Sequence, residues 1–365
     1  MKAAVLFEPN TPLQIEEVSL RKPRSREVLL RTAYAGLCHT DLHFMEAQTP
    51  YPMPVVLGHE SSGIVEAVGS EVTYVKPGDH VVTCLSVFCG TCAYCTTGRP
   101  ALCFNEEAKL PPGKADRLKW DRPEKVNTFM NLSSFAEAML VHENALVKIR
   151  KDMPLDRASL IGCAVMTGYG SVVNTAKIGP GDKVAVIACG GVGMSAVSAA
   201  RIAGAERVIA IDTSAEKLDI AKALGATDIV NPANGDAVEQ VLELTDGGVD
   251  HALDCLGSKR TAEDAFKMLA FDGTATLVGL FKAGETIELT GADFLRERKI
   301  QGSLLGSNRF RVDMPRIIEL YMQGRMDLDV FISQKIRLED INDGFQAMRE
   351  GRVLRSLIDF SAQPA

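Results

Sequence analysis

The sequence of 365 residues lacks an apolar run long enough to span a membrane, and it contains no internal repeat and no low-complexity tract. Its first apolar run, residues 3–7, is followed at once by Glu8 and Pro9 and is too short for a signal peptide. We therefore expect a cytoplasmic protein in which this run forms the first strand of the fold.

The sequence also has no excess of positive charge, because 40 lysines and arginines stand against 47 aspartates and glutamates, for a net charge of −7. This balance argues against a nucleic-acid or anionic-membrane partner. Apolar residues make up 46% of the chain and charged residues 24%, which argues against long disorder. The length exceeds one typical core and predicts two domains.

Cysteines number nine, and five of them fall between Cys84 and Cys103. An odd, clustered set fits metal binding in a reducing compartment better than a disulfide framework. Four of the five are separated by two, two and seven residues, namely Cys89, Cys92, Cys95 and Cys103. This spacing predicts a structural zinc lobe, because four thiolates leave no open coordination position. Four unrelated thiols, or disulfides, are the alternative.

Residues 36–43 contain a thiol, a hydroxyl, a carboxylate and two imidazoles within eight positions. His59 follows shortly, and Cys163 lies far downstream. Cys38, His59 and Cys163 form a set that suits zinc with one coordination position open for chemistry. Taken alone, Cys163 is more typical of a small buried apolar side chain.

The first third of the chain predicts strands, at residues 3–7, 13–18 and 27–35, as in a small barrel or sandwich. Residues 105–133 are polar and predict a long loop, either a lid over the site or a solvated insertion. A helix is predicted at residues 156–173, where it carries Cys163.

After Asp182 the pattern changes to regular alternation of strands and helices, which predicts a doubly wound parallel sheet. The turn after the first of these strands runs from Ala188 to Gly193 and includes Gly190, Gly191 and Val192. Such glycines let the backbone approach a pyrophosphate, which the following helix N-terminus stabilises. Ala188 replaces the first glycine of this fingerprint, and a tight turn without a ligand is the alternative interpretation.

Asp212 ends the second parallel strand about twenty residues after this turn, where a carboxylate would accept hydrogen bonds from ribose hydroxyls. The same carboxylate would repel the additional phosphate of NADP. The sequence therefore favours NAD as the cofactor.

Together, the stretch 36–43, Gly58-His59-Glu60, the four-cysteine lobe and the glycine-rich turn resemble the zinc-containing medium-chain alcohol dehydrogenases over nearly the whole chain. The resemblance implies an α/β protein that combines a GroES-like, β-rich catalytic domain with a Rossmann domain. The implied boundaries are residues 1–165 for the catalytic domain with its zinc lobe at 89–103, 166–305 for the NAD-binding domain, and 306–365 for the return to the catalytic domain.

The resemblance implies two zinc ions per chain, a structural one in the lobe and a catalytic one on Cys38, His59 and Cys163. Four further residues then match catalytic roles. Glu60 matches a carboxylate that can approach the metal, Asp41 a group that orients His59, Thr40 the hydroxyl that takes the alcohol proton, and His43 the imidazole that passes it to solvent. A solvated histidine at a helix edge is the alternative for His43.

For the cofactor, the resemblance matches Asp212 and Lys217 to the adenosine ribose, and His39 and Arg355 to the pyrophosphate. His39 stands where many members carry arginine, which implies a weaker grip on the cofactor. The alternative interpretation of Arg355 is that it is an ordinary surface charge.

The implied activity is reversible oxidation of an alcohol to an aldehyde with NAD. Leu85 falls where a wall residue of the substrate pocket is expected, and a leucine there favours a medium-chain or aryl primary alcohol. The partners expected are this alcohol or aldehyde and further copies of the chain, with a dimer favoured over a tetramer because the 105–133 loop is similar to that of the longer, dimeric members.

Three alternatives stay open. A glutathione-dependent formaldehyde dehydrogenase is disfavoured by Glu107, because that branch has arginine at this position. Residues 302–308 and 313–316 are similar to a bacterial branch that keeps NAD tightly bound and recycles it with an external acceptor. A zinc-free quinone reductase-like or non-catalytic relative is remote, because such proteins lack the ligand cysteines.

Overall fold

The computed structural model describes residues 1–361, which group into two compact units. The first unit consists of Met1–Cys163, Arg309–Met322 and residues 328–361, and the second of Ala164–Asn308 and Gln323–Asp327. The first unit is thus assembled from both ends of the chain. Along the described residues no helix is both long and apolar enough to cross a membrane.

The first part of the first unit is mostly β-structure. In chain order its elements are β1 (Lys2–Leu6), β2 (Gln14–Glu17), β3 (Ser19–Leu20), β4 (Glu27–Gly36), α1 (His39–Met45), β5 (Val55–Val56), β6 (Glu60–Val68), β7 (His80–Thr83), α2 (Ala93–Thr96), β8 (Leu118–Lys119), β9 (Asn127–Thr128), β10 (Ala138–His142), β11 (Leu146–Lys148) and α3 (Leu155–Leu160). Within the predicted loop 105–133, only the short strands β8 and β9 form among the described strands.

The second unit alternates strands and helices, as the sequence predicts. Its elements are α4 (Met166–Gly170), β12 (Lys183–Ile187), α5 (Gly191–Ala203), β13 (Arg207–Ile211), α6 (Ala215–Leu224), β14 (Asp228–Val230), α7 (Ala237–Thr245), β15 (Val249–Asp254), α8 (Lys259–Lys267), β16 (Leu269–Leu277) and β17 (Lys299–Gly302). The chain then returns to the first unit with α9 (Phe310–Met322), β18 (Gln334–Ile336), α10 (Ile341–Arg349) and β19 (Ser356–Asp359).

In the first unit, the largest sheet runs in the order β11-β7-β6-β4-β19-β18, with β10 also paired to β4. Strand β4 lies between β6 and β19, and both neighbours run antiparallel to it. Val28 and Leu30 of β4 are fully buried in the core of this unit, whereas Leu29 between them is half-buried and Arg31 is exposed. A second sheet has the order β2-β1-β5-β9.

In the second unit, the sheet has the order β14-β13-β12-β15-β16-β17, and its pairs are parallel throughout. Strand β12 is nearly all apolar and buried, as expected for a central parallel strand covered on both faces. Helices α6 and α7 begin at Ser214 and Asp236, whose side chains accept hydrogen bonds from the first turn. The predicted fold class is confirmed.

Candidate active site and cofactor site

Three side chains in the first unit converge on one buried point. Cys38 directly precedes α1, His59 directly precedes β6, and Cys163 lies in a π-helical turn, Ile161–Val165. Their ligand atoms all lie within 4.8 Å of one another, and all three residues are buried. The structure therefore brings the three sequence-predicted zinc ligands together, although they come from distant parts of the chain.

Asp41 fixes the orientation of the His59 ring. Its Oδ1 lies 3.1 Å from His59 Nδ1 and also accepts a hydrogen bond of 3.1 Å from the N–H of Gly58. With Nδ1 engaged, the buried Nε2 of His59 has no hydrogen-bond partner in the described chain. An imidazole nitrogen left over beside two thiols is the donor set that zinc prefers, so the residues present fit the metal.

Ionisation of the two thiols follows from their contact. The hydrogen bond from Cys163, followed by the charge of Arg355, holds the pKa of Cys38 well below its usual range against the effect of burial. The same hydrogen bond, reinforced by burial, raises the pKa of Cys163 well above its usual value. Cys38 is therefore the first of the two thiols to ionise.

Glu60 and Arg355 form a buried ion pair behind the three ligands. Arg355 Nε lies 3.3 Å from Glu60 Oε1, and the guanidinium donates a hydrogen bond of 2.8 Å to the carbonyl of Leu37. Arg355 is 3% exposed, so its interpretation as a surface charge is wrong. Burial lowers the pKa of Arg355, but the negative charges of Glu60, Cys38 and Cys163 outweigh this effect. The pKa of Arg355 is therefore raised above its usual value, and the side chain stays charged.

Helix α1 carries the remaining predicted groups of this site. Thr40 and His43 are half-buried and lie three positions apart, which places them on the same side of the helix. His39 is exposed at the start of this helix.

The four-cysteine lobe has the geometry of a tetrahedral metal site. Sulfur–sulfur separations are 3.9 Å for Cys89 and Cys95, 3.5 Å for Cys92 and Cys95, and 3.9 Å for Cys92 and Cys103. With zinc–sulfur bonds of about 2.3 Å, a tetrahedron has edges of about 3.8 Å. The sulfurs are thus already spaced for one zinc ion.

Backbone amides support the thiolates of this lobe. Cys89 Sγ accepts hydrogen bonds from the N–H groups of Thr91 at 3.3 Å and Cys92 at 3.2 Å. Burial opposes ionisation here too, but these donors, with the Thr91 hydroxyl, lower the pKa of Cys89 to about 6. The thiolate form that binds zinc is therefore stabilised by the local backbone.

In the second unit, the predicted glycine-rich turn links β12 to α5. Ala188 adopts a left-handed backbone conformation, with φ of 72°. A Cβ atom at Gly193 would lie 2.0 Å from the carbonyl oxygen of Ala188, so only glycine fits there. A Cβ at Gly190 would meet nothing within 4 Å, which leaves open space at the turn where a pyrophosphate could approach.

Asp212 directly follows β13, and its carboxylate links the glycine-rich turn to the start of α6. Its Oδ2 accepts a hydrogen bond of 2.8 Å from the N–H of Cys189, and its Oδ1 accepts one of 2.9 Å from the N–H of Ser214. Lys217 lies one turn into α6, where its N–H is directed at the Ser214 hydroxyl. The structure therefore brings the carboxylate against the turn predicted to bind the cofactor.

An aromatic cluster lies beside His59 that the sequence pattern did not reveal. The ring of Phe129 packs 6.0 Å from the ring of His59, and Phe44 and Tyr51 pack against Phe129 at 4.9 and 5.0 Å. Phe129 lies in the 105–133 segment, which has no periodicity, so no sequence signal could have placed it.

Arg117 anchors the same 105–133 segment to the large sheet. Its guanidinium donates to Glu27 Oε1 at 3.2 Å and to the carbonyl of Asn131 at 2.8 Å, and it is 2% exposed. Arg21 donates two further hydrogen bonds to the same Glu27 carboxylate. The interpretation of this segment as a solvated insertion is therefore wrong for its anchoring residues.

Comparison with known proteins gives concordant matches. Residues 24–151 match the family described as "Alcohol dehydrogenase GroES-like domain", and residues 191–321 match "Zinc-binding dehydrogenase". Alcohol dehydrogenase 1 of Trifolium repens is 37% identical, with 98% of this chain and 96% of that protein covered.

Two further relatives differ in the substrates that their names state. S-(hydroxymethyl)glutathione dehydrogenase of Synechocystis is 37% identical, with 98% of this chain and 99% of that protein covered. The crystal structure of benzyl alcohol dehydrogenase from Acinetobacter calcoaceticus superposes with a TM-score of 0.92 at 35% identity, with 98% of each chain covered.

Proposed function

Because the chain belongs to the zinc-containing medium-chain alcohol dehydrogenases, we propose that it oxidises a primary alcohol, of medium chain length or with an aryl group, to the aldehyde with NAD. The observation that carries this proposal is the buried set of Cys38, His59 and Cys163, in which His59 Nε2 is left without a hydrogen bond. Zinc held there would acidify a bound alcohol, and NAD would accept the hydride.

The chain's own residues prepare the site for this reaction. Asp41 holds His59 in the tautomer whose Nε2 lone pair faces the thiols. Arg355 places a buried positive charge behind the Cys38 thiolate. Thr40 receives the alcohol proton and His43 passes it towards solvent, a relay that their shared position on one side of α1 supports.

In the second unit, Gly190, Gly191, Val192 and Gly193 would hold the pyrophosphate at the start of α5, while Asp212 and Lys217 would hold the adenosine ribose. The negative charge of Asp212 supports NAD over NADP. His39 and Arg355 are the proposed pyrophosphate contacts from the first unit. For Arg355, the hydrogen bond to Leu37 and the pairing with Glu60 support a role in positioning as well.

We further propose residues 1–165 and 306–365 as the catalytic domain, 166–305 as the NAD-binding domain, a cytoplasmic location, and assembly into dimers. Leu85, which is half-buried beside a hydrophobic cluster, is the proposed wall residue of the substrate pocket, and its size suits a medium-chain or aryl alcohol. The second candidate substrate is a glutathione adduct of formaldehyde, which the Synechocystis relative's name supports and Glu107 opposes. Glu107 is exposed, and its N–H donates to Asn105.

One experiment separates these possibilities. Native mass spectrometry of the purified protein reports zinc count, retained NAD and oligomeric state together. A substrate panel then compares benzyl alcohol, medium-chain primary alcohols and S-(hydroxymethyl)glutathione, each with NAD and NADP. We expect two zinc ions, a dimer, and the highest kcat/KM for an aryl or medium-chain alcohol with NAD.

Other outcomes each have a defined meaning. NAD that stays bound through purification would favour the branch that recycles it with an external acceptor. Preference for S-(hydroxymethyl)glutathione would favour the second candidate, and two zinc ions without turnover of any alcohol would refute the proposed activity.

A further inference from the structure

The carboxylate of Glu60 lies over the one position of β4 that has no side chain. Gly36, the last residue of β4, is paired directly with Glu60, the first residue of β6. A Cβ atom at Gly36 would lie 2.3 Å from Glu60 Oε1, 3.0 Å from its Cδ and 3.3 Å from its Cγ. Any side chain at this position would therefore overlap the Glu60 carboxylate.

The backbone conformation of Gly36 does not require glycine. The residue lies in a regular strand, and it is not among the glycines with positive φ, so alanine could adopt the same backbone conformation. The three nearest atoms that a Cβ would meet all belong to the Glu60 side chain. The absence of a side chain at Gly36 thus leaves room for the Glu60 carboxylate.

Arg355 contacts the Glu60 carboxylate from just before β19, the strand on the opposite side of β4 from β6. It directly precedes β19, in which Leu357 is paired with Gly36, so Glu60, Gly36 and Leu357 lie in a row across three adjacent strands. Arg355 Nε is 3.3 Å from Glu60 Oε1, and both side chains are buried. The carboxylate is held between the face of Gly36 and the guanidinium.

Glu60 is also the chain neighbour of the zinc ligand His59, and a carboxylate is itself a zinc ligand. In the structure, the group of possible ligand atoms within 4.8 Å of one another comprises Cys38, His59 and Cys163, without Glu60. We infer that Gly36 is a positioning residue, which keeps the Glu60 carboxylate against Arg355 and away from the open coordination position of the catalytic metal. The inference rests on the proposed function.

The test uses Gly36→Ala, Glu60→Ala and the double variant, each with Co²⁺ in place of the catalytic zinc. In Gly36→Ala the displaced carboxylate should enter the metal's coordination sphere, which shifts the visible ligand-field bands of Co²⁺ and weakens them. In the double variant the added methyl group has room, because the Glu60 carboxylate is gone. Its spectrum should therefore equal that of Glu60→Ala.

Gly63→Ala serves as the matched control. Gly63 lies in β6 and its Cβ would meet the backbone oxygen of Arg31 at 2.4 Å, so this variant disturbs the same pair of strands without touching Glu60. It should lose thermal stability and keep the wild-type Co²⁺ spectrum. The stability that it loses should be the same with or without Glu60→Ala. Gly36→Ala should instead cost no further stability in the Glu60→Ala background, where both chains lack the partner of Arg355.

The outcomes distinguish the inference from the function on which it rests. An unchanged spectrum in Gly36→Ala, or an effect that persists in the double variant, would overturn the role of Gly36. If Gly36→Ala does not fold, a double variant that is less stable than Glu60→Ala would overturn it equally. Wild-type protein that binds no Co²⁺ at Cys38, His59 and Cys163 would refute the proposed function, while the stability comparison would still decide whether Gly36 accommodates Glu60.

Discussion

Asp41 and His59 form a fully buried pair, with Asp41 Oδ1 3.1 Å from His59 Nδ1. The pair orients the ring that we assign to the catalytic zinc. Asp41→Asn keeps an acceptor for the ring N–H but removes the charge that strengthens His59 as a ligand. We expect zinc affinity at this site to fall by roughly 10- to 100-fold. Chelator competition measures this, with retention of the lobe zinc as the internal control. Unchanged affinity would show that the carboxylate charge is unimportant.

Removing a thiolate should separate the two zinc sites. Cys38→Ser is expected to reduce the zinc content from two ions to one per chain and to abolish alcohol oxidation, because the open site loses a ligand. The matched control is Cys84→Ser, since Cys84 is also buried and its pKa is raised by burial to about 11, but it belongs to neither cluster. Elemental analysis and steady-state rates test the pair. Turnover by Cys38→Ser would contradict the metal mechanism.

The glycine-rich turn allows folding and cofactor binding to be tested separately. Gly190→Ala should fold normally, because its Cβ meets no atom within 4 Å, but it should bind NAD more weakly because the methyl group occupies the space for the pyrophosphate. Gly193→Ala should instead lose about 1–3 kcal/mol of unfolding free energy, since its Cβ would lie 2.0 Å from the Ala188 oxygen. Calorimetry and NAD titration measure the two effects. Equal stability losses would refute the distinction.

Cofactor choice should depend on the charge of Asp212. Asp212→Asn retains an acceptor oxygen for only one of the two N–H groups, those of Cys189 and Ser214, and it no longer repels a 2′-phosphate. We expect the ratio of kcat/KM for NAD over NADP to fall by about tenfold or more, the size of one charged hydrogen bond. Asp219→Ala, at an exposed position of α6, is the control and should leave the ratio unchanged. A constant ratio in Asp212→Asn would show that another residue sets the preference.

Acid sensitivity should arise in part at His142. Burial, aided by the charge of Arg26, lowers its pKa to about 4, whereas an unfolded histidine titrates near about 6.5. Between these values only the unfolded chain binds the proton, so stability is complete above about pH 6.5 and is lost as the pH falls towards 4. His142→Asn can still accept the N–H of Asn144 but does not titrate. Its melting temperature should fall less between pH 6.5 and 4.5 than that of the wild type, and parallel curves would contradict this assignment.

The sequence predicts the fold wherever the determining pattern is local. Apolar runs alternating with helical stretches after Asp182 are sufficient for the parallel sheet, and the spacing of Cys89, Cys92, Cys95 and Cys103 confines four thiols to one short segment. The helix predicted at 156–173 is instead a series of α- and π-helical turns that ends at Ala176. Periodicity cannot distinguish these two helix types here, because each segment is only five or six residues long.

The sequence predicts least where contacts depend on strand register. Gly36 and Glu60 are separated along the chain by α1 and β5, and only the pairing of β4 with β6 shows that one gives space to the other. Arg117 and Phe129 lie in a segment without periodicity, so their burial depends on tertiary contacts alone. Arg355 is similar, because its burial depends on β19 reaching β4.

The pairing of β4 with β19 also means that the first unit can be completed only near the end of synthesis. Cys38, His59 and Glu60 are translated early, but Arg355 and β19 follow only after the whole of residues 164–308. Until then the end of β4 that pairs with β19, Tyr34–Gly36, has no partner on that side, and Glu60 has no cation beside it. A nascent chain therefore carries its three zinc ligands well before their surroundings are finished, and translation that stops before Arg355 yields a product with the ligands but without their buried counter-charge.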